Sequence, residues 1–134
     1  MKNLILTIAL NLITLISFSI TDTIKSTYYT NGVLQSEVAK LNITTYKVIN
    51  YYENNNIKEI QYYDLNKKRT GIWESFDENG IKTGEASFKN NKKHGIWKVY
   101  LNNKLSIILE YKNGKRIKAF MYTEKEGLIA SINQ

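Results

Sequence analysis

Gly71–His94 reads GIWESFDENGIKTGEASFKNNKKH, and Gly95–Lys118 reads GIWKVYLNNKLSIILEYKNGKRIK. Both stretches open with Gly-Ile-Trp, so the chain repeats itself with a period of 24 residues. A repeat of this length sets the whole architecture and has to be read before any motif. The step links Trp73 to Trp97, and it extends toward the N-terminus. Aromatic residues at Tyr28, Tyr52, Phe76 and Tyr100 keep the spacing, as do aliphatic ones at Val33, Ile57, Ile81 and Leu105. Between them lie Asn31-Gly32, Asn55-Asn56, Asn79-Gly80 and Asn102-Asn103, the last one place early. A second set of turn pairs follows at Asn90-Asn91 and Asn113-Gly114. Asn and Gly tolerate the positive φ that tight hairpin turns need. Each unit therefore reads as one hairpin, and successive hairpins follow without crossovers. The pattern predicts an all-β fold, an antiparallel meander of about eight to ten strands. The one mild helical hint beyond the N-terminal segment covers Gln35–Lys40. Along Ile96–Leu101 one strand face carries Trp97, Val99 and Leu101 and the other Ile96, Lys98 and Tyr100, so both faces are partly apolar.

Three stretches carry a family resemblance: YYENNNIKEIQYYDLNKKRTGIW, FDENGIKTGEASFKNNKKHGIW and YLNNKLSIILEYKNGKR. The succession of an aromatic, an Asn-Gly turn, an aliphatic, a second aromatic, an Asn-Gly-Lys turn and HG-x-W resembles the bacterial variant of the MORN repeat. The resemblance runs from Tyr28 to Phe120. It is degraded in the first unit, where Ala39–Lys47 lacks the Gly-Ile-Trp and the turn signature. It implies an open, curled sheet of stacked β-hairpins that serves as an interaction surface, and many bacterial members carry an antitoxin-like label. The repeat-bearing positions are Tyr52, Gly71, Trp73, Phe76, Gly80, Gly95, Trp97, Tyr100 and Gly114. Gly71 and Gly95 are expected to serve bends that a side chain would crowd. Trp73 and Trp97 are expected to pack as a cross-unit pair.

The chain opens MKNLILTIALNLITLISFSITD. One lysine precedes an apolar run from Leu4 to Phe18, and Ser17 and Ser19 stand where a signal peptidase reads small residues. This reads as a secretory signal over residues 1–19 with cleavage after Ser19. Residues 20–134 remain as a repeat domain of about four units, the first and last degraded. The alternative is a retained membrane anchor; the run is near the lower limit for spanning, and Thr7, Asn11 and Thr14 weaken it. The expected location is exported: periplasmic, secreted or envelope-associated. There is no cysteine, so neither a lipoprotein anchor nor a disulfide can form.

A chain of 134 residues has room for one domain with a modest core. Ten tyrosines and no proline suit strands, where one ring face packs and the hydroxyl stays wet. The formal charge of +7 favours acidic partners or anionic surfaces. A meander sorts this charge, because successive turns lie at opposite ends of the sheet. One set of turns holds Lys67, Lys68, Arg69, Lys89, Lys92, Lys93, Lys112, Lys115 and Arg116. The opposite set holds Glu53, Asp77 and Glu78, with Lys104 as the exception. The basic ridge is either a solvating rim or a contact for anionic lipid headgroups, acidic glycans or an acidic protein. Export would carry the chain away from nucleic acid, so none is expected.

His94 is the chain's single histidine. It could be a general base, since histidine titrates near neutrality, or a turn residue before Gly95. One period earlier the same place holds Thr70, which cannot do acid–base work but can occupy the turn. No Cys–His pair or histidine cluster is possible, no carboxylate cluster recurs at ligand spacing, and no glycine-rich phosphate loop occurs. The reading is a non-enzymatic binding module without catalytic, cofactor or metal residues. The alternatives are an antitoxin-like neutraliser of a toxin met in the envelope, or a membrane-associated scaffold that keeps its N-terminal segment. Asn42-Ile43-Thr44 also matches a glycosylation sequon.

Overall fold

In a computed structural model that describes residues 23–123 and the backbone of 127–133, the chain is one sheet. The signal segment read over residues 1–19 lies outside the described residues. The strands are β1 (Thr23–Tyr28), β2 (Leu34–Lys40), β3 (Thr45–Tyr51), β4 (Ile57–Asp64), β5 (Gly71–Phe76), β6 (Lys82–Lys89), β7 (Lys92–Leu101), β8 (Lys104–Lys112), β9 (Lys115–Thr123) and β10 (Gly127–Asn133). Their order in space is their order in sequence, and every neighbouring pair is antiparallel. The sheet is open, and no helix occurs among the described residues. The helical hint over Gln35–Lys40 was wrong: this segment is β2, paired on both sides by β1 and β3. Ladder pairing on two edges overrides a weak local preference.

Two kinds of turn alternate. At Tyr29–Val33, Tyr52–Asn56, Asp64–Lys68 and Asp77–Ile81 the first residue donates its N–H to the carbonyl of the last. The third loop residue is left-handed: Gly32, Asn55, Lys67 and Gly80, with φ of 84°, 67°, 59° and 80°. Each such loop on the β1–β2, β3–β4 and β5–β6 side is followed by a bulge, at Gln35, Lys58 and Thr83, the residue left unpaired where the register shifts. Tight turns instead join β6 to β7 through Asn90-Asn91, β7 to β8 through Asn102-Asn103 and β8 to β9 through Asn113-Gly114, all with positive φ. The β7–β8 turn is thus one residue shorter than its predecessors. This is why Asn102-Asn103 comes one place early. The β2–β3 turn manages without glycine: Asn42 Oδ1 accepts the Thr44 N–H and hydroxyl, each at 2.9 Å.

Lys67 is the one left-handed residue among these that is neither Asn nor Gly. A side chain in that region costs about 1 kcal/mol or more, so Lys67→Gly should raise stability by about 1 kcal/mol. A higher urea midpoint at unchanged m-value would bear this out. An unchanged or lower midpoint would refute it.

Among the described residues no second layer covers the sheet, so burial is partial. Of the apolar residues, Ala39, Phe88 and Ala119 lie at or below 9% exposure. Register fixes the faces. Trp73, Ala86, Trp97, Leu109 and Ala119 lie in one cross-strand row on an aromatic face. Ile60, Glu74, Glu85, Lys98 and Ile108 form the matching row on the polar face. Leu101 shares the alternation of Trp97 and Val99, yet a register shift after Val99 intervenes and leaves it 59% exposed.

Candidate functional site

Five rings cross the aromatic face from β4 to β8: Tyr63, Trp73, Phe88, Trp97 and Tyr111. Successive centroids are 5.2, 4.8, 5.1 and 5.1 Å apart, tilted or edge-on. Such pairs contribute about 0.5–1.5 kcal/mol each beyond area burial. The tryptophans do not form a direct pair, as the sequence had suggested. Phe88 on β6 stands between them, because the intervening strand places its own ring in the row. Each indole is anchored by the bulge at its Gly-Ile-Trp. Trp73 Nε1 donates to the Tyr62 carbonyl (3.1 Å) and Trp97 Nε1 to the Ser87 carbonyl (2.8 Å). Gly71 and Gly95 allow this bulge by adopting φ of 68° and 78°. Crowding was expected at both: it holds at Gly95, where a Cβ would press on Ser87 Oγ at 3.3 Å, but at Gly71 a Cβ would meet Tyr62 at an ordinary 3.5 Å. The required conformation, not space, selects that glycine. The tightest approach among these is at Gly84, where a Cβ would stand 2.9 Å from Ser75 Oγ.

The nine basic residues singled out in the sequence do come to one end of the sheet, on the β4–β5, β6–β7 and β8–β9 connections. The structure divides them. Each hairpin carries an aromatic–basic cross-strand pair near its turn: Tyr63 with Arg69, Phe88 with Lys93, Tyr111 with Arg116. Arg69 lies 4.6 Å from the Phe88 centroid, and its guanidinium donates to the Asn91 carbonyl at 3.0 Å. Lys93 Nζ is 4.3 Å from the Trp97 centroid and 5.0 Å from that of Tyr111. These two cations roof the aromatic row. Lys67, Lys68, Lys89, Lys92, Lys112, Lys115 and Arg116 are exposed, as Lys93 is, but lie over no ring. None of the nine is in an ion pair among the described residues. Inter-unit bonds hold the turns in file: Asn91 N–H to the Arg69 carbonyl (3.1 Å) and Gly114 N–H to the Lys93 carbonyl (2.8 Å).

The other end holds Glu53, Asp77, Glu78 and Lys104. It too is tied unit to unit. Tyr52 Oη donates to the Phe76 carbonyl (2.9 Å), and Asn54 and Asn56 both donate to the Glu78 carbonyl (2.7 Å). Of the remaining repeat positions, Gly80 and Gly114 sit in turns, and Tyr100 pairs with Leu105 beside the bulge that Ser106 makes in β8.

On the polar face Lys82 bonds both Glu74 and Glu85, and Lys98 bonds Glu85 at 2.9 Å. The Lys98 hydrogen bond holds the Glu85 carboxyl below its usual range; burial opposes and Lys82 assists. The ammonium of Lys82 is held upward by Glu74, and that of Lys98 by Glu85. A depressed carboxylate stabilises the fold above its unfolded value and loses that contribution as pH falls through the folded one. The stability advantage of the native chain over Glu85→Gln should therefore be full above pH 4.5, the ordinary value, and shrink below it. We expect about 1 kcal/mol or less, read by urea titration at several pH values. An advantage that does not change with pH would remove the ion-pair account. On the same face, burial and the Glu37 carboxylate (2.6 Å) push the Tyr51 hydroxyl up to about 12.

His94 lies in the β6–β7 bulge, between Lys93 and Gly95. Its Nδ1 is buried with no hydrogen-bond partner among the described residues, so no carboxylate orients the ring there as a catalytic triad requires. Among the described residues no group of three His, Asp or Glu side chains is placed to hold a metal ion. An apolar groove of about 480 Å³ lies between β1 and β4, lined in part by Ile24, Val38, Val48 and Tyr63.

No curated protein and no solved structure is similar enough to this chain to count as a match. A family model, described as the MORN repeat variant, does match. It covers residues 22–38, 47–65, 69–90 and 93–113, one segment for each 24-residue unit and together more than half of the chain. The matched segments follow the four hairpins from β1 to β8 and take in both anchored indoles, and the chain belongs to the MORN repeat variant family.

Proposed function

We propose that this chain is an exported, non-enzymatic binding module whose basic end engages another protein or an anionic envelope surface. Its family supports the coarse reading, since MORN repeat proteins are generally non-enzymatic binding modules. The observation that carries the finer one is the division of the basic end. Arg69 and Lys93 are committed to the aromatic row, while the seven neighbouring cations are exposed, lie over no ring and are in no ion pair among the described residues. An exposed array of one sign attracts a partner of the other at range, and salt screens it. An antitoxin-like role would be a special case of the same binding, with a toxin met outside the cytoplasm.

The test is co-sedimentation of the full chain with isolated envelopes across a salt series. Wild type should pellet at low salt and be released as salt rises. A variant with Lys68, Lys92 and Lys115 changed to glutamate should stay in solution with an unchanged circular dichroism spectrum. Equal pelleting of the two would refute the role of the basic end. The intact mass of the native protein tests export processing. Loss of residues 1–19 supports cleavage, and a full-length mass supports the anchored-scaffold reading.

A further inference from the structure

Two hairpin tips at the basic end are built against their own stability. In Lys89-Asn90-Asn91-Lys92 the two lysines are direct cross-strand partners, and so are those of Lys112-Asn113-Gly114-Lys115. Directly opposed side chains have Cβ atoms about 5 Å apart, and like charges at that distance repel. The pairs cannot slip out of register, because both residues of each two-residue turn are fixed at positive φ. All four lysines are exposed, and none is in an ion pair or over a ring.

We propose that each tip is a pincer for one oxyanion group (phosphate, sulfate or carboxylate) and that the two tips together hold a linear polyanion. The inference rests on the basic end being the binding end and specifies what it takes. An oxyanion between two ammonium groups replaces their repulsion by two charge-assisted hydrogen bonds. The β6–β7 and β8–β9 tips are two strands apart, so the pincers stand about 10 Å apart in file along the sheet edge. A polymer whose anionic groups recur at about that interval bridges both, and the second contact is then intramolecular. A hydrated polymer suits the tips better than a bilayer does. Neither tip carries an apolar side chain to enter lipid; the exposed Leu41, Ile43 and Leu65 of that end are on the β2–β3 and β4–β5 turns.

The experiment titrates the full chain with linear polyphosphate, with orthophosphate and with anionic phospholipid vesicles. It compares wild type with Lys92→Gln, Lys115→Gln and, as a ridge position outside the pincers, Lys68→Gln. Polyphosphate should bind at least ~10-fold tighter per phosphate than orthophosphate. Either tip substitution should cost about 10-fold in polymer affinity while raising Tm by about 1–4 °C, because it removes a like-charge pair. Lys68→Gln should change affinity less than about 3-fold and leave Tm in place. Tip variants that bind like wild type, or a loss no greater than that of Lys68→Gln, overturn the pincers and leave the general reading of the basic end intact. Binding to vesicles without binding to polyphosphate assigns the end to a bilayer and also overturns them. If wild type binds none of the three probes and still pellets with envelopes in a salt-dependent way, the pincers fail alone; if it does not pellet either, both readings fail.

Discussion

Phe88→Ala is expected to destabilise the domain by about 3 kcal/mol, the lower part of the range for burying an aromatic ring in a core. With no second layer among the described residues, the sheet concentrates its burial in few places. Phe88 is the one large side chain among the three apolar residues named above as most buried, at 7% exposure. Its ring touches Trp73 and Trp97 on either side and supports the Arg69 guanidinium. Truncation interrupts the five-ring row at its centre and leaves a cation without its platform. The loss is a large share of the stability of a domain this size. The readout is built in, because both tryptophans of the chain flank the site. Urea unfolding of Phe88→Ala should show a much lower midpoint, and its native emission should shift to the red. A cost below about 1 kcal/mol with unchanged emission would contradict the row as the spine of the fold.

Gly95→Ala is expected to cost about 2 kcal/mol, more than Gly80→Ala at about 1 kcal/mol. Both glycines are left-handed, at φ of 78° and 80°, so the conformational strain is shared. They differ in surroundings. A Cβ at Gly80 enters open space, whereas at Gly95 it meets Ser87 Oγ at 3.3 Å. Ser87 also supplies the carbonyl that accepts the Trp97 indole N–H, so pressure on this strand loosens the ring row. A Ser87→Ala background should recover the excess and leave only the strain. Equal costs at the two glycines would show that the bulge has room and that the anchored indole is indifferent to it.

The period of 24 residues was enough to read the meander, the alternation of turn ends and the gathering of basic residues, because these follow from repeat length and turn chemistry alone. What remained hidden depends on cross-strand register. Whether Arg69 or Lys68 is free to meet a partner is settled by which of them faces Phe88, and a bulge of uncertain size lies between them and any reference point in the sequence. The supposed tryptophan pair failed for the same reason: Phe88 aligns with both only after the bulge is placed. The last units keep period 23 between Lys92 and Lys115 because the Asn102-Asn103 turn lost a residue. Gly84 gave no signal, since it lies mid-strand and its constraint is a neighbour's hydroxyl. Asn42 concealed a turn as a sequon; its carboxamide does the capping that glycine does elsewhere.

The most direct test of the central claim is an amide NMR titration of the full chain with polyphosphate. The account predicts that perturbations concentrate at Asn90, Asn91, Asn113, Gly114 and their flanking lysines, fade with added salt, and spare the turns at Glu53 and Glu78. Perturbations centred on the apolar groove around Val48, or on the acidic end, would contradict it.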